Sequence, residues 1–334
     1  MIWKLLSVPR FRVIKRPSPL EELSVLGREL GIRLFIKRDD LLEIALGGNK
    51  IRKLEFIFGD IVSKGYDTVI TTGAYHSNHA RLTAAFARKS GVDVYLVLTK
   101  PGSKDLKGNL LLDKLLGAKI LHADNPDEAD KIMNELAQEL EKRGRKPYVI
   151  SRGGAIPPGV LGYAYAVFEL AEQFSELNVK PNYIIHASGT GATQAGLILG
   201  SKLAGLDAKI IGISVGRRSP ELINRIYRLV EEGARYAGAE IRFTIDDVIV
   251  YDDYTEGGYG VISERVVNII REVSLKETIF LDPVYTAKAV LGLIDLVERG
   301  VISRGSNVLF IHTGGTPIIF QYDNEIANYL RLEE

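Results

Sequence analysis

The stretch Tyr183-Ile184-Ile185-His186-Ala187-Ser188-Gly189-Thr190-Gly191-Ala192-Thr193-Gln194 passes from a short apolar run, through small and hydroxylic residues, into a helical pattern. A strand that turns directly into a helix is the repeating unit of α/β folds with mainly parallel strands. The same order recurs on both sides of it. Apolar runs rich in Val and Ile predict strands at Val69–Thr72, Val94–Leu98, Lys119–His122, Tyr148–Ile150, Tyr183–Ala187, Ile210–Val215, Val248–Tyr251 and Val308–His312. Amphipathic stretches between them predict helices, among them Lys50–Lys64, Asn78–Ser90, Asp127–Arg143, Leu161–Phe174 and Thr286–Glu298. Several end near glycines (Gly65, Gly91, Gly144, Gly300), as a left-handed helix cap favours.

The totals bound the possibilities. A chain of 334 residues, 46% hydrophobic and 25% charged, has the balance of an ordinary globular protein of two domains or one large one. Its 43 basic and 42 acidic residues leave a formal net charge of +1, which gives no electrostatic reason to expect nucleic acid or an anionic membrane as partner. With no cysteine, disulfides, thiolate metal sites and a cysteine nucleophile are excluded. The run Pro9-Arg10-Phe11-Arg12 breaks the N-terminal apolar segment before a signal-peptide core could form, and no apolar run approaches the ~18 residues of a membrane span. The expectation is a cytoplasmic protein. The spacing of its histidines does not suggest a metal site.

Ligands of open parallel sheets bind beyond the carboxyl ends of the strands, so the strand-to-helix turns are the places to search. The turn Ser188-Gly189-Thr190-Gly191-Ala192-Thr193 could close backbone N–H groups around a phosphate at a helix start. Its glycines resemble the dinucleotide pattern, but Gln194 stands where Gly or Ala is required. The next strand, ending Ile213-Ser214-Val215, lacks an acidic residue for a ribose. A nicotinamide dehydrogenase is therefore disfavoured. The hydroxyls of Ser188, Thr190 and Thr193 suit a phosphate monoester, and a tight turn with no ligand stands beside that reading.

Lys50 opens a helix after Gly47-Gly48-Asn49. On local grounds it is a solvated lysine; turned inward and desolvated, its amine would have a lowered pKa and could form a Schiff base. In Tyr75-His76-Ser77-Asn78-His79, Ser77 is by default an N-cap, while the helix start behind it could take a carboxylate. Tyr285, beside the helix start at Thr286, could supply a proton or simply pack; Tyr259, among Gly257, Gly258 and Gly260, reads as part of a mobile loop. A phosphate cradle, a lysine, a carboxylate-binding helix end and hydroxyl donors together form the inventory of a pyridoxal 5'-phosphate pocket.

The runs Ile36-Lys37-Arg38-Asp39-Asp40-Leu41 and Gly47-Gly48-Asn49-Lys50-Ile51-Arg52-Lys53-Leu54-Glu55 resemble the D-cysteine desulfhydrase and 1-aminocyclopropane-1-carboxylate deaminase family. The likeness continues through His76-Ser77-Asn78-His79, Gly189–Gly196, Tyr251-Asp252-Asp253-Tyr254, Asp282-Pro283-Val284-Tyr285 and His312-Thr313-Gly314-Gly315, covering nearly the whole chain in order. The resemblance implies the tryptophan-synthase-β-like fold (type II among pyridoxal-phosphate enzymes), with two open, twisted, mostly parallel sheets flanked by helices. It implies a small α/β domain over residues 53–163 and a large cofactor-binding domain from 1–52 and 164–334. It also implies a homodimer and a small amino-acid substrate.

The resemblance carries roles as well. Lys50 would bind the cofactor covalently and act as base at the substrate α-carbon. Asn78 would bond the cofactor's phenolic oxygen, and the turn 188–193 would take its phosphate. Ser77, with the N–H groups of Asn78 and His79, would hold the substrate carboxylate. Tyr285 and Tyr259 would face the reacting substrate, with Thr286 beside them and Thr313 near the pyridine nitrogen. Deaminases of the family resemble Asp-Pro-Val-Tyr-Glu and His-Leu-Gly-Gly; this chain has Thr286 and Thr313 at those places, as desulfhydrases do. A hydroxyl near the ring nitrogen makes a weaker electron sink than a carboxylate, which suits expulsion of a thiolate better than opening of a cyclopropane. The expectation is β-elimination from D-cysteine to pyruvate, hydrogen sulfide and ammonia. The alternatives are deamination of 1-aminocyclopropane-1-carboxylate, a related lyase or racemase acting on L-cysteate, L-cysteine or serine, and a cofactor-binding protein without turnover.

Overall fold

The computed structural model describes residues 5–101 and 104–331. Its strands are β1 (Leu20–Glu22), β2 (Arg33–Arg38), β3 (Thr68–Ala74), β4 (Asp93–Thr99), β5 (Lys119–His122), β6 (Pro147–Ile150), β7 (Tyr183–Ser188), β8 (Lys209–Ser214), β9 (Ile249–Tyr251) and β10 (Asn307–His312). The helices are α1 (Ser24–Leu30), α2 (Lys50–Ser63), α3 (Asn78–Ser90), α4 (Gly108–Leu115), α5 (Pro126–Lys142), α6 (Pro157–Glu176), α7 (Ala192–Ala204), α8 (Ser219–Tyr236), α9 (Glu264–Glu277), α10 (Thr286–Glu298) and α11 (Asp323–Arg331).

The strands form two sheets. A six-stranded sheet runs β1-β2-β10-β7-β8-β9 and a four-stranded sheet runs β5-β4-β3-β6. Only β1 and β2 pair antiparallel; the other pairings are parallel. The α/β class expected from the strand-turn-helix order is the class observed. Strands β1 and β2 were not anticipated: the first is three residues long, and the second carries charge at both ends (Arg33, Lys37, Arg38). The glycines after the helices take the left-handed conformation expected of them, with φ of 69° at Gly65, 76° at Gly91, 78° at Gly144 and 72° at Gly300.

Period-two alternation divides the large sheet between two cores. Ile184, Leu309 and Ile311 point to a layer containing Leu161, Val167, Leu199 and Ile226 of α6, α7 and α8. Their neighbours Ile185, Val308 and Phe310 face Val266, Ile270, Val290 and Leu293 of α9 and α10. In the small sheet Val69, Leu96 and Leu98 pack with Ile57, Leu82 and Phe86 of α2 and α3, while Ile70 and Val97 pack with Met133 of α5. Among the described residues, no helix is long and apolar enough to cross a membrane. All four strands of the small sheet fall between residues 53 and 163. A domain division at those two positions is our proposal; both lie within helices, α2 and α6, that pack against each other.

Where β2 gives way to α2, the chain buries a network of charges. Arg52 donates to both carboxylate oxygens of Asp39, at 2.7 and 2.8 Å, and to both of Glu169, at 2.9 and 3.0 Å. Lys37 pairs with Glu169 and donates to the Ser18 carbonyl at 2.7 Å. Tyr163 donates to Asp39 at 2.5 Å. Burial alone would raise the Asp39 carboxyl, yet Arg52 and Lys37 hold it below its ordinary range. Two cations thus meet two anions with their hydrogen bonds satisfied, the condition under which burying them is tolerable. Arg52→Met strands two carboxylates and is expected to lower the unfolding free energy by about 3–5 kcal/mol. Equilibrium urea denaturation measures this, and a loss below ~1 kcal/mol would show that the network is not structurally important.

Candidate active site

The loop that delivers Lys50 is tightly wound: Ala45, Leu46, Gly47 and Gly48 have φ of 44°, 65°, 67° and 117°. At Gly47 a Cβ would lie 1.9 Å from the Asp40 carbonyl oxygen, so only glycine fits. Gly48 N–H donates to the Asp39 carbonyl at 2.8 Å and Asn49 N–H to the Thr313 carbonyl at 3.0 Å. These bonds tie the start of α2 to the ends of β2 and β10. Lys50 is therefore turned inward, its Nζ donating to Asn49 Oδ1 at 3.1 Å, and burial lowers its pKa to about 8 against the opposing pull of Asp282. The solvated reading of this lysine does not hold.

Lys50 lines a cavity of about 460 Å³ between the two sheets. The small sheet contributes Ser77, Asn78 and His79, at the junction of β3 and α3. The large sheet contributes Ser188, Gly189, Thr190, Gly191 and Thr193 after β7, Tyr285 before α10 and Thr313 after β10. Tyr259 enters from the loop before α9. Two expected residues stay outside. Thr286 is fully buried: its Oγ1 accepts from Asp282 N–H at 2.6 Å and donates to Asp282 Oδ1 at 2.8 Å, so it serves the helix cap, not the cavity. Ala192, the first residue of α7, is also buried and does not line the space.

Each lining group is held by neighbours. Ser77 caps α3, accepting from Ala80 N–H at 3.1 Å. Asn109 Nδ2 donates to Asn78 Oδ1 at 2.8 Å, which leaves the Asn78 amide N–H groups as its free donors. Thr71 donates its hydroxyl proton to the Ile150 carbonyl at 2.8 Å, so the Thr71–His79 Nε2 contact of 2.9 Å requires the proton on Nε2. Burial, then the charges of Lys50 and Lys53, push the His79 pKa well down and keep the ring neutral. Asp282 accepts from the N–H groups of Val284, Tyr285 and Thr286 at 2.9 Å each, which fixes Tyr285 at the head of α10. The Tyr285 and Tyr259 hydroxyls bond each other, their rings 5.9 Å apart. Burial and Tyr259 raise the Tyr285 pKa well above its ordinary value, so the phenol keeps its proton. The loop of Tyr259, expected to be mobile, is fastened by Lys288, whose Nζ donates to the Thr255 and Gly258 carbonyls at 2.7 and 2.8 Å.

Two further residues belong to the site. Asn49 donates to Thr193 Oγ1 at 3.1 Å, tying the lysine loop to the glycine turn. Lys53 lines the cavity three residues after Lys50, buried, with no hydrogen bond or ion pair among the described residues. Burial and Lys50 push its pKa well down. The i, i+3 spacing of two lysines was the available signal, since it puts both on one helix face. A buried lysine amine whose protonated form an anion would favour, a buried Ser188 hydroxyl without a partner and the N-terminus of α7 are groups that suit a phosphate dianion. With a lysine of lowered pKa in the same lining, these groups fit pyridoxal phosphate: Lys50 would hold its aldehyde carbon, and Ser188–Thr193 with Lys53 would hold its phosphate.

Comparison with known proteins agrees. The family model described as "Pyridoxal-phosphate dependent enzyme" matches residues 12–314. The chain is 44% identical over 324 residues to a Pyrococcus abyssi protein provisionally named a 1-aminocyclopropane-1-carboxylate deaminase, covering 96% of each. It is 38% identical over 319 residues to the D-cysteine desulfhydrase of Salmonella choleraesuis, covering 94% of this chain and 96% of the relative. A crystal structure of an ACC deaminase homologue superposes with a TM-score of 0.91 at 44% identity, covering 98% of each chain. The chain belongs to the family of pyridoxal-phosphate-dependent enzymes and has its type II fold. The free amine is the form of Lys50 that attacks an aldehyde. The rate at which cofactor-free protein takes up pyridoxal phosphate is therefore expected to rise with pH through about 8, against 10.5 for an ordinary lysine. Stopped-flow absorbance follows the uptake; a rate still climbing at pH 10 would contradict the assignment.

Proposed function

We propose that this member of the pyridoxal-phosphate-dependent enzymes is a lyase that eliminates sulfide from D-cysteine, leaving pyruvate and ammonia. The bound cofactor supplies the electron withdrawal that makes the substrate's α-hydrogen acidic. Lys50 Nζ takes that proton. The substrate carboxylate lies against Ser77 and the first N–H groups of α3, where the helix dipole favours an anion. The Tyr285 phenol donates toward the departing sulfur, its proton available because the cavity disfavours the phenolate. Released aminoacrylate hydrolyses in water to pyruvate and ammonia.

The observation that carries elimination over ring opening is Thr313. It lines the cavity at the position the family resemblance assigns to the ring nitrogen, and the lining's single carboxylate, Glu221, is paired with Arg217. A hydroxyl there leaves the ring a modest electron sink, sufficient for a good leaving group such as thiolate. With Thr286 buried in a helix cap, it supports this reading only through Asp282 and Tyr285. Preference for the D-enantiomer rests on the desulfhydrase relatives.

Purified enzyme is expected to show a cofactor absorption band reducible by borohydride, absent in Lys50→Ala. It is expected to release equimolar pyruvate and sulfide from D-cysteine, with less from L-cysteine. Pyruvate from 1-aminocyclopropane-1-carboxylate and none from D-cysteine would replace the proposal by the deaminase reading. Tyr285→Phe is expected to reduce kcat by about 10²–10⁴-fold, the range for loss of a positioned general acid, with a smaller change in KM. An unaltered kcat would remove Tyr285 from the mechanism.

A further inference from the structure

The cavity is more cationic than its cofactor requires. Its lining carries six lysine and arginine side chains and the one carboxylate, Glu221. Lys50 and Lys53 are assigned to the cofactor, Arg217 is paired with Glu221, and Arg218 and Lys100 are exposed. Arg152 remains. It follows β6 in a tight turn whose next two residues, Gly153 and Gly154, have φ of 70° and 65°. A Cβ on Gly153 would lie 2.7 Å from Thr190 Oγ1, so the turn abuts the phosphate-side loop and its glycine holds that approach.

The guanidinium itself makes one long hydrogen bond, 3.4 Å to Thr72 Oγ1 at the end of β3. Its Nε is buried without a partner, and no carboxylate among the described residues pairs with it. The charge is near enough to Tyr259 to act on that phenol. A half-buried arginine that faces the cavity with no acid paired to it is poorly satisfied until an anion arrives, and its planar donor fork matches a carboxylate or sulfonate. The substrate's α-carboxylate already has the α3 N-terminus.

We propose that Arg152 forms a subsite for a second acidic group on the substrate, so that the enzyme also accepts α-amino acids bearing a carboxylate or sulfonate on the β-carbon. The inference rests on the amino-acid reading of the cavity given above and widens its substrate class from a thiol to anionic β-substituents. Arg152 acts in recognition, orienting the β-substituent toward Tyr259 and Tyr285.

Aspartate and asparagine test it, since they are nearly isosteric and differ by one charge. Binding of each enantiomer to the holoenzyme is read from the shift of the cofactor absorption band, with no turnover needed. The accepted enantiomer of aspartate is expected to bind about tenfold or more tightly than the matching asparagine, the scale of a charge-assisted bond. In Arg152→Ala that ratio is expected to fall toward one, and Arg152→Lys to restore part of it. A wild-type ratio near one, or a ratio unchanged in Arg152→Ala, overturns the inference. So does a raised cofactor Kd in Arg152→Ala with the ratio intact, which would assign the side chain to the cofactor's phosphate. An enzyme that releases sulfide from D-cysteine without preferring aspartate refutes this subsite and leaves the elimination standing. One that prefers aspartate but eliminates nothing does the reverse.

Discussion

The two-pronged pair between Asp39 and Arg52 sets the position of everything chemical in this molecule. Asp39 directly follows β2 and Arg52 lies in the first turn of α2, so their bond fixes the angle between strand and helix across a loop of left-handed residues. Lys50 stands two residues before Arg52 and follows wherever that turn is held. Glu169 of α6 and Lys37 of β2 complete the charge balance, which draws a helix from later in the chain into the same joint. A buried ion pair is a costly way to hold two elements together. It excludes alternative registers, because a shift of one residue would leave a charge stranded.

The cleft that results has its own electrostatic logic. Burial disfavours the protonated forms of Lys50, Lys53 and His79 alike, and a proton on either lysine would disfavour one on His79 further. On the proposed reading, anions would restore those charges: a phosphate at the glycine turn, a carboxylate at the start of α3 and, through Arg152, a second acid. The same surroundings raise the Tyr285 phenol and keep its proton in place. An amine whose pKa is lowered toward neutrality and a phenol that stays protonated thus line the same cavity.

Sequence reasoning and structure part company at instructive places. Eight strands were legible because each carries a short apolar run, mostly buried in β3, β4, β7, β8 and β10 and partly exposed in β5, β6 and β9. Strand β2 was not, since charges interrupt its apolar run: Lys37 joins the buried ion network, while Arg33 and Arg38 pair with Glu22, Glu21 and Asp40. Gln194 served only to argue against a nicotinamide site; its amide donates to the Ile249 carbonyl at 2.7 Å and so secures β9, which explains a long polar residue where glycine or alanine would suit a dinucleotide. Thr286 pointed to the substrate by family pattern, yet its hydroxyl is spent on Asp282. Lys53 was quoted within a motif and passed over, although its spacing from Lys50 held the clue. Arg152 left no periodic or motif signal at all.

The amino-acid sequence alone determined the α/β class, the glycine turn suited to a phosphate, and the family whose ordered motifs single out Lys50 and its cofactor. Those features are local: period, turn chemistry and short runs that survive without knowledge of the rest of the chain. Only the tertiary structure decided which side chains meet. It turned Lys50 inward, brought Lys53 into the same cavity as the glycine turn, withdrew Thr286 into a cap and left Arg152 facing the cavity with no acid paired to it. Desolvation and pairing are properties of neighbours contributed by distant segments, and no window of sequence contains them.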